Sequence, residues 1–278
     1  MREGAPAALY TPSAVRDLLT RYSLRADKGF GQNFLVDANA LSAIVEAAQI
    51  EVDDTVLEVG PGLGVLTREL AHKAKEVVSV ELDARLLPAL EETVGSNVNV
   101  TLVHGDALAF DLATLPEKSL LVANLPYNVA TPILIRALES GRFKRLVFLV
   151  QKEVAQRLRA GPSEGAYGAL SLVIAHFASV EIVRDVKPSA FFPPPEVTSS
   201  VVRLDVHTTQ SDPETFALIH QAFRHRRKTL KKNLLMAGFD KGRVGAAIAV
   251  LGVEERARAE TLDISQFRAL NEALRNKM

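Results

Sequence analysis

The chain has 278 residues, 47% hydrophobic and 24% charged, with 33 Lys+Arg against 33 Asp+Glu. That leaves room for a packed core in one large domain, or a large and a small one, and a zero net charge means that any basic surface is local. With no cysteine, disulfides, thiolate nucleophiles and Cys-ligated zinc are excluded; the six His show no metal-ligand spacing, no apolar run reaches the ~20 residues of a membrane span and no signal-peptide pattern opens the chain, so a cytoplasmic protein without metal or membrane is expected.

A first helix is expected from Pro12-Ser13, with Ser13 as cap and Val15, Leu18, Leu19 and Tyr22 on one face. The loop Lys28–Leu35 follows. Asp37 then caps a helix carrying Leu41, Ile44, Val45 and Ala48. From about residue 55, short apolar strands alternate with helices: strands at 56–59, 77–81, 99–103, 120–123 and 146–150, and helices at 63–71, 85–94 and from Thr131-Pro132. Pro88 should shorten or kink the second of these helices. Such alternation predicts an α/β fold with a parallel sheet covered on both faces. Strands at 180–186 and 200–206, separated by a proline-rich loop, predict an antiparallel edge. Beyond residue 207 the pattern is helical. Two domains are expected, 1–207 and 208–278, the second a small all-helical one.

Glu58-Val59-Gly60-Pro61-Gly62-Leu63-Gly64 follows a strand and opens a helix. Glycines there let a ligand approach the backbone, and the helix start favours negative charge. The dinucleotide fingerprint G-x-G-x-x-G/A needs Gly or Ala at 65, where Val stands. An acid before the first Gly suits a ligand with a cationic head instead. Glu81 ends the next strand, where a carboxylate can accept from two ribose hydroxyls, and Asp106 ends the third, within reach of an adenine amino group.

Asn124-Leu125-Pro126-Tyr127 closes the fourth strand. The Asn side-chain oxygen and a following main-chain carbonyl can hold both hydrogens of an exocyclic base amine. Its lone pair is then aimed at an activated methyl carbon, and positioning does most of the work. Tyr127 offers a stacking face, and Phe191, on the proline-stiffened loop, the opposite jaw. Residues 222–232 hold six Lys/Arg and no acid. Read as a helix, they line up Arg224, Arg227, Lys228 and Lys231 as a stripe for phosphates, beside an apolar stripe of Phe216, Ile219, Phe223, Leu230 and Leu234.

These motifs, in this order with Gly31–Leu35, Phe191–Val197, Ser200–Leu204 and Arg226–Leu230, resemble the ribosomal RNA adenine dimethyltransferase family, most closely its bacterial small-subunit branch. The resemblance spans nearly the whole chain. It implies a Rossmann-like class I methyltransferase sheet and S-adenosyl-L-methionine held at Asn33, Leu35, Gly60, Glu81, Asp106 and Asn124. It implies target-adenine contacts at Asn124, Pro126, Tyr127 and Phe191. The substrate it implies is two adjacent adenines in a hairpin near the 3′ end of small-subunit (16S) rRNA, in a pre-30S particle, with the protein a monomer. Two alternatives are a large-subunit enzyme of the macrolide-resistance type and a non-catalytic RNA-binding assembly factor. The Arg-Arg-Lys-Thr-Leu and Phe-x-Pro-Pro-Pro segments favour the small-subunit branch over the first. Intact Glu81, Asp106 and 124–127 argue against the second.

Overall fold

A computed structural model gives the fold for residues 9–126 and 129–275. The chain divides into two compact units. One holds the chain to Ala155 and Ser179–Thr209; the other holds Gln156–Ala178 and the chain from Gln210 on. The sequence places a single boundary between residues 207 and 208, whereas the chain crosses between units three times.

The first unit is built on a sheet. Helix α1 (Pro12–Arg21) is capped by Thr11, whose hydroxyl accepts from the Ala14 N–H, rather than by Ser13. Strand β1 (Phe34–Leu35) leads into α2 (Ala38–Ala48), capped by Asp37 at 2.8 Å from the Ala40 N–H. Then follow β2 (Thr55–Val59), α3 (Val65–Ala71), β3 (Glu76–Glu81), α4 (Leu87–Val94), β4 (Val100–His104), β5 (Ser119–Asn124), α5 (Ala130–Glu139) and β6 (Phe143–Gln151). Pro88 falls in the first turn of α4, where its missing N–H costs nothing; the helix is shortened, with a 3₁₀ turn before it. Helices α6 (Lys152–Arg159) and α7 (Ala169–Phe177) precede β7 (Ala178–Val186), β8 (Phe191–Phe192) and β9 (Ser199–Val206).

The main sheet runs β4-β3-β2-β5-β6-β9-β7. Strands β4 to β6 pair in parallel, and β9 pairs antiparallel to β6, which is the expected antiparallel edge. Every residue of β2 is buried, as a strand covered on both faces requires. α2 and α3 lay Ile44, Val45, Leu66 and Leu70 on Val56, Leu120, Val122 and Val147. Each such side chain contributes about 1.5–3 kcal/mol by leaving water. Strand order reverses between β2 and β5, and an open α/β sheet binds ligands beyond the strand ends at such a point. Separately, β1 and β8 form a two-stranded antiparallel ribbon, Leu35 opposite Phe191 and Phe34 opposite Phe192.

The second unit is helical: α7 with α8 (Pro213–Ala222), α9 (Leu230–Met236), α10 (Lys241–Leu251) and α11 (Ile264–Arg275). α7 belongs here because its buried face is spent on these helices. The His176 ring meets Phe216 edge-on at 4.9 Å, and its two nitrogens bond the Gln210 carbonyl and the Arg268 guanidinium. Among the described residues no helix is long and apolar enough to cross a membrane, and no cluster of three or more acidic, His or Cys side chains forms a metal site.

Candidate active site

The glycine turn after β2 stands at the switch point. Gly60 and Gly62 have φ of 68° and 59°, left-handed values that a side chain resists. A Cβ on Gly62 would lie 3.3 Å from the Phe34 ring, so this close approach needs glycine. A Cβ on Gly60 would stand 3.7 Å from the Pro126 ring, which sets the 124–126 segment directly beside the turn. Gly60, Glu81, Asp106, Asn124, Leu125 and Pro126 line one cavity, closed on its N-terminal side by residues 29–35.

Glu81 is 6% exposed. Its two oxygens each accept one main-chain N–H, from Gly62 at 3.0 Å and Asp83 at 2.9 Å. Burial lifts its pKa, and these N–H groups pull it back. Each oxygen keeps a second lone pair, so the carboxylate can still accept from a diol. Asp106 is exposed and folds onto its own loop, accepting from the Leu108 N–H at 2.8 Å. Arg136 of α5 fastens that loop through the carbonyls of Ala107 and Phe110.

Asn124 is the last residue of β5. Its Nδ2 donates to the Asn33 carbonyl at 3.0 Å. A carbonyl cannot pair with another carbonyl, so this bond decides which end of the amide is which. Oδ1 is left as an acceptor with no protein partner among the described residues. The Pro126 carbonyl already takes the Val129 N–H and has one lone pair left. Asn33 and Leu35 stand on the same wall, Asn33 donating to the Gly31 carbonyl.

Two sequence expectations need revision, and Glu58 has a second task. Glu58 lines the cavity, with one carboxylate oxygen committed to the fold and the other without a protein partner among the described residues. It is 1% exposed, and the committed oxygen accepts from the hydroxyls of Thr67 and Ser79, tying α3 and β3 to β2; burial pushes its pKa up to about 7. Phe191 does not line the cavity. Pairing with β1 turns its ring into the core cluster of Leu35 and Val201, 3% exposed, while Phe192 lies under the Arg16 guanidinium. The aromatic rings that do line the cavity among the described residues are Phe30 and Phe34. Tyr127 lies outside the described residues.

The basic segment also departs from expectation. α8 ends at Ala222 and α9 begins at Leu230, so 223–229 is a bend and no helical stripe forms. Thr229 caps α9, and the Asn233 amide holds the His225 carbonyl. Arg224, Arg227 and Lys228 are exposed on the bend, whereas Lys231 on α9 is ion-paired with Glu255.

Sequence reasoning missed the supporting residues. Gln32, Asp27, Asp83 and Arg85 form a bonded network at the cavity wall. Asp83, an acid opening a turn just after Glu81, was the available signal.

The family described as Ribosomal RNA adenine dimethylase matches residues 23–276. The chain is 47% identical to the Ribosomal RNA small subunit methyltransferase A of Deinococcus radiodurans, over 96% of this chain and 92% of the relative. It is 40% identical to the protein of that name from Clostridium botulinum, over 93% and 98%. Among solved structures it is similar to a dimethyladenosine transferase from Plasmodium falciparum (TM-score 0.73, 27% identity, 85% of this chain and 95% of that one). It is also similar to the 23S rRNA methyltransferase ErmE (TM-score 0.70, 28% identity, 88% and 100%).

Proposed function

Since the chain belongs to the ribosomal RNA adenine dimethylase family, we propose that it dimethylates N6 of two adjacent adenines in a hairpin near the 3′ end of small-subunit rRNA. It is an S-adenosylmethionine-dependent rRNA adenine N6-dimethyltransferase. The name carried by relatives at 47% and 40% identity, against 28% to ErmE, supports the small-subunit over the large-subunit reading. We place its action in the cytoplasm, on a pre-30S particle, as a monomer.

The cavity suits the cofactor. The Glu81 carboxylate with its spare lone pairs answers a ribose diol, Asp106 and the glycine turn flank it, and a side chain at Gly62 would be forced against Phe34. Asn33, Leu35, Gly60, Glu81, Asp106 and Asn124 would hold it. When bound, S-adenosylmethionine supplies an electrophilic methyl group. Adenine N6 is a weak nucleophile because its lone pair is delocalised into the ring. Asn124 Oδ1 accepts one amine hydrogen, and the Leu125 or Pro126 carbonyl the other, so the nitrogen becomes pyramidal with its lone pair directed. These dipoles are fixed before the base arrives, and no strong base is needed. Tyr127 supplies the stacking face, and Phe191 needs a rearrangement of β8 to serve as the second jaw. On the second unit, Arg224, Arg227 and Lys228 neutralise RNA phosphates; Lys231 joins them only by leaving Glu255.

The observation that carries this reading is the Asn124–Asn33 bond, which leaves Oδ1 as an acceptor in the cavity shared with Glu81. The test is transfer of labelled methyl groups to undermethylated small and large subunits, with the bases identified. Label in paired N6,N6-dimethyladenines of the small-subunit RNA is expected; label confined to the large subunit refutes the reading.

A further inference from the structure

Building on the reading of Asn124 as acceptor for the target amine, we infer that Gln32 is a positioning residue for the transfer, acting through the Asn33 carbonyl. Gln32 is held at every polar atom of its side chain. Oε1 accepts from the Asp27 N–H at 2.9 Å, and Nε2 donates to Asp83 Oδ2 at 2.7 Å. Its own N–H bonds the Asp27 carbonyl at 3.2 Å. One side chain therefore closes the loop 27–32 on itself and pins it to the connection after β3.

The acceptor it grips is firmly set. Asp83 is 4% exposed and gives its N–H to Glu81. Arg85 bonds both Asp83 oxygens at 2.8 Å and also reaches Asp27 at 2.9 Å. The guanidinium keeps both carboxyls below the usual carboxylate range, so they remain acceptors. The residue after Gln32 presents the carbonyl that sorts the ends of the Asn124 amide. If that carbonyl shifts, Asn124 can turn its NH₂ to the cavity, and an NH₂ cannot accept a hydrogen from an amine. Gln32 thus sets the acceptor without touching the base.

The test uses the full chain with ¹⁵N-labelled asparagine. In the wild type one Asn124 side-chain N–H is protected from solvent exchange. Gln32→Leu removes that protection and, with cofactor saturating, lowers kcat at least about tenfold, a larger change than calorimetry finds in cofactor Kd. Gln32→Glu opposes two carboxylates and behaves like Gln32→Leu. A merely structural role would lower Tm in these variants and leave Asn124 protection where it was. Unchanged protection in Gln32→Leu overturns the inference. If protection responds as stated but the wild type methylates no adenine, the functional reading falls, and the role of Gln32 in transfer with it.

Discussion

The cavity wall and the basic bend handle polar groups in opposite ways. Around the cavity, Glu81, Glu58, Asp83, Gln32 and Asn124 are all bonded within the protein, and most are buried. On the bend, Arg224, Arg227 and Lys228 stand exposed in a segment with no regular structure. A site that orients a reacting nitrogen needs dipoles fixed in advance. A surface that meets phosphates needs only charge, which counterion release rewards. The first region should therefore respond to pH and the second to salt.

Glu58 offers the largest effect. Its folded pKa of about 7 lies above the ordinary 4.5, so between these values the folded chain holds a proton that the unfolded chain has lost. That share of stability is complete below pH 4.5 and is lost as pH rises through 7. Glu58→Gln should gain on wild type by roughly 3 kcal/mol from about pH 4.5 to about pH 8, read as the difference in unfolding free energy. A pH-independent difference would mean that Glu58 is charged at little cost. Next, Glu81→Ala should weaken cofactor binding by about 2 kcal/mol, or about 30-fold, in calorimetry, with RNA affinity unaltered. Neutralising Arg224, Arg227 and Lys228 together should weaken RNA binding about tenfold at low salt and flatten the salt slope by about two units, leaving cofactor affinity alone. An unchanged slope would remove the bend from the interface. Lys231→Gln should do least to the salt slope, since Lys231 already has a carboxylate partner in Glu255 and the cations of the bend are exposed.

The sheet was legible because its signals are local. Val56–Val59, Val77–Glu81 and Leu120–Ala123 are buried on both faces and read as apolar runs, and Asp37 announces α2. The glycine turn and the segment from Asn124 were legible for the same reason. The second unit was less so. α7 is apolar nearly all round, without the periodicity that marks a helix, and its partners lie far along the chain at Phe216 and Arg268. The basic bend failed as a helix because a wheel ignores Thr229, whose hydroxyl starts α9 afresh. The face chosen by Phe191 depends on pairing with Leu35, which no local pattern encodes.

The orientation of Asn124 is tested most directly by single-turnover methyl transfer with cofactor and RNA both saturating. Asn124→Ala should slow the step by about 10²–10³-fold, as loss of one fixed dipole at a reacting centre does, with cofactor affinity reduced far less. A rate within about threefold of wild type would contradict the role given to its side-chain oxygen.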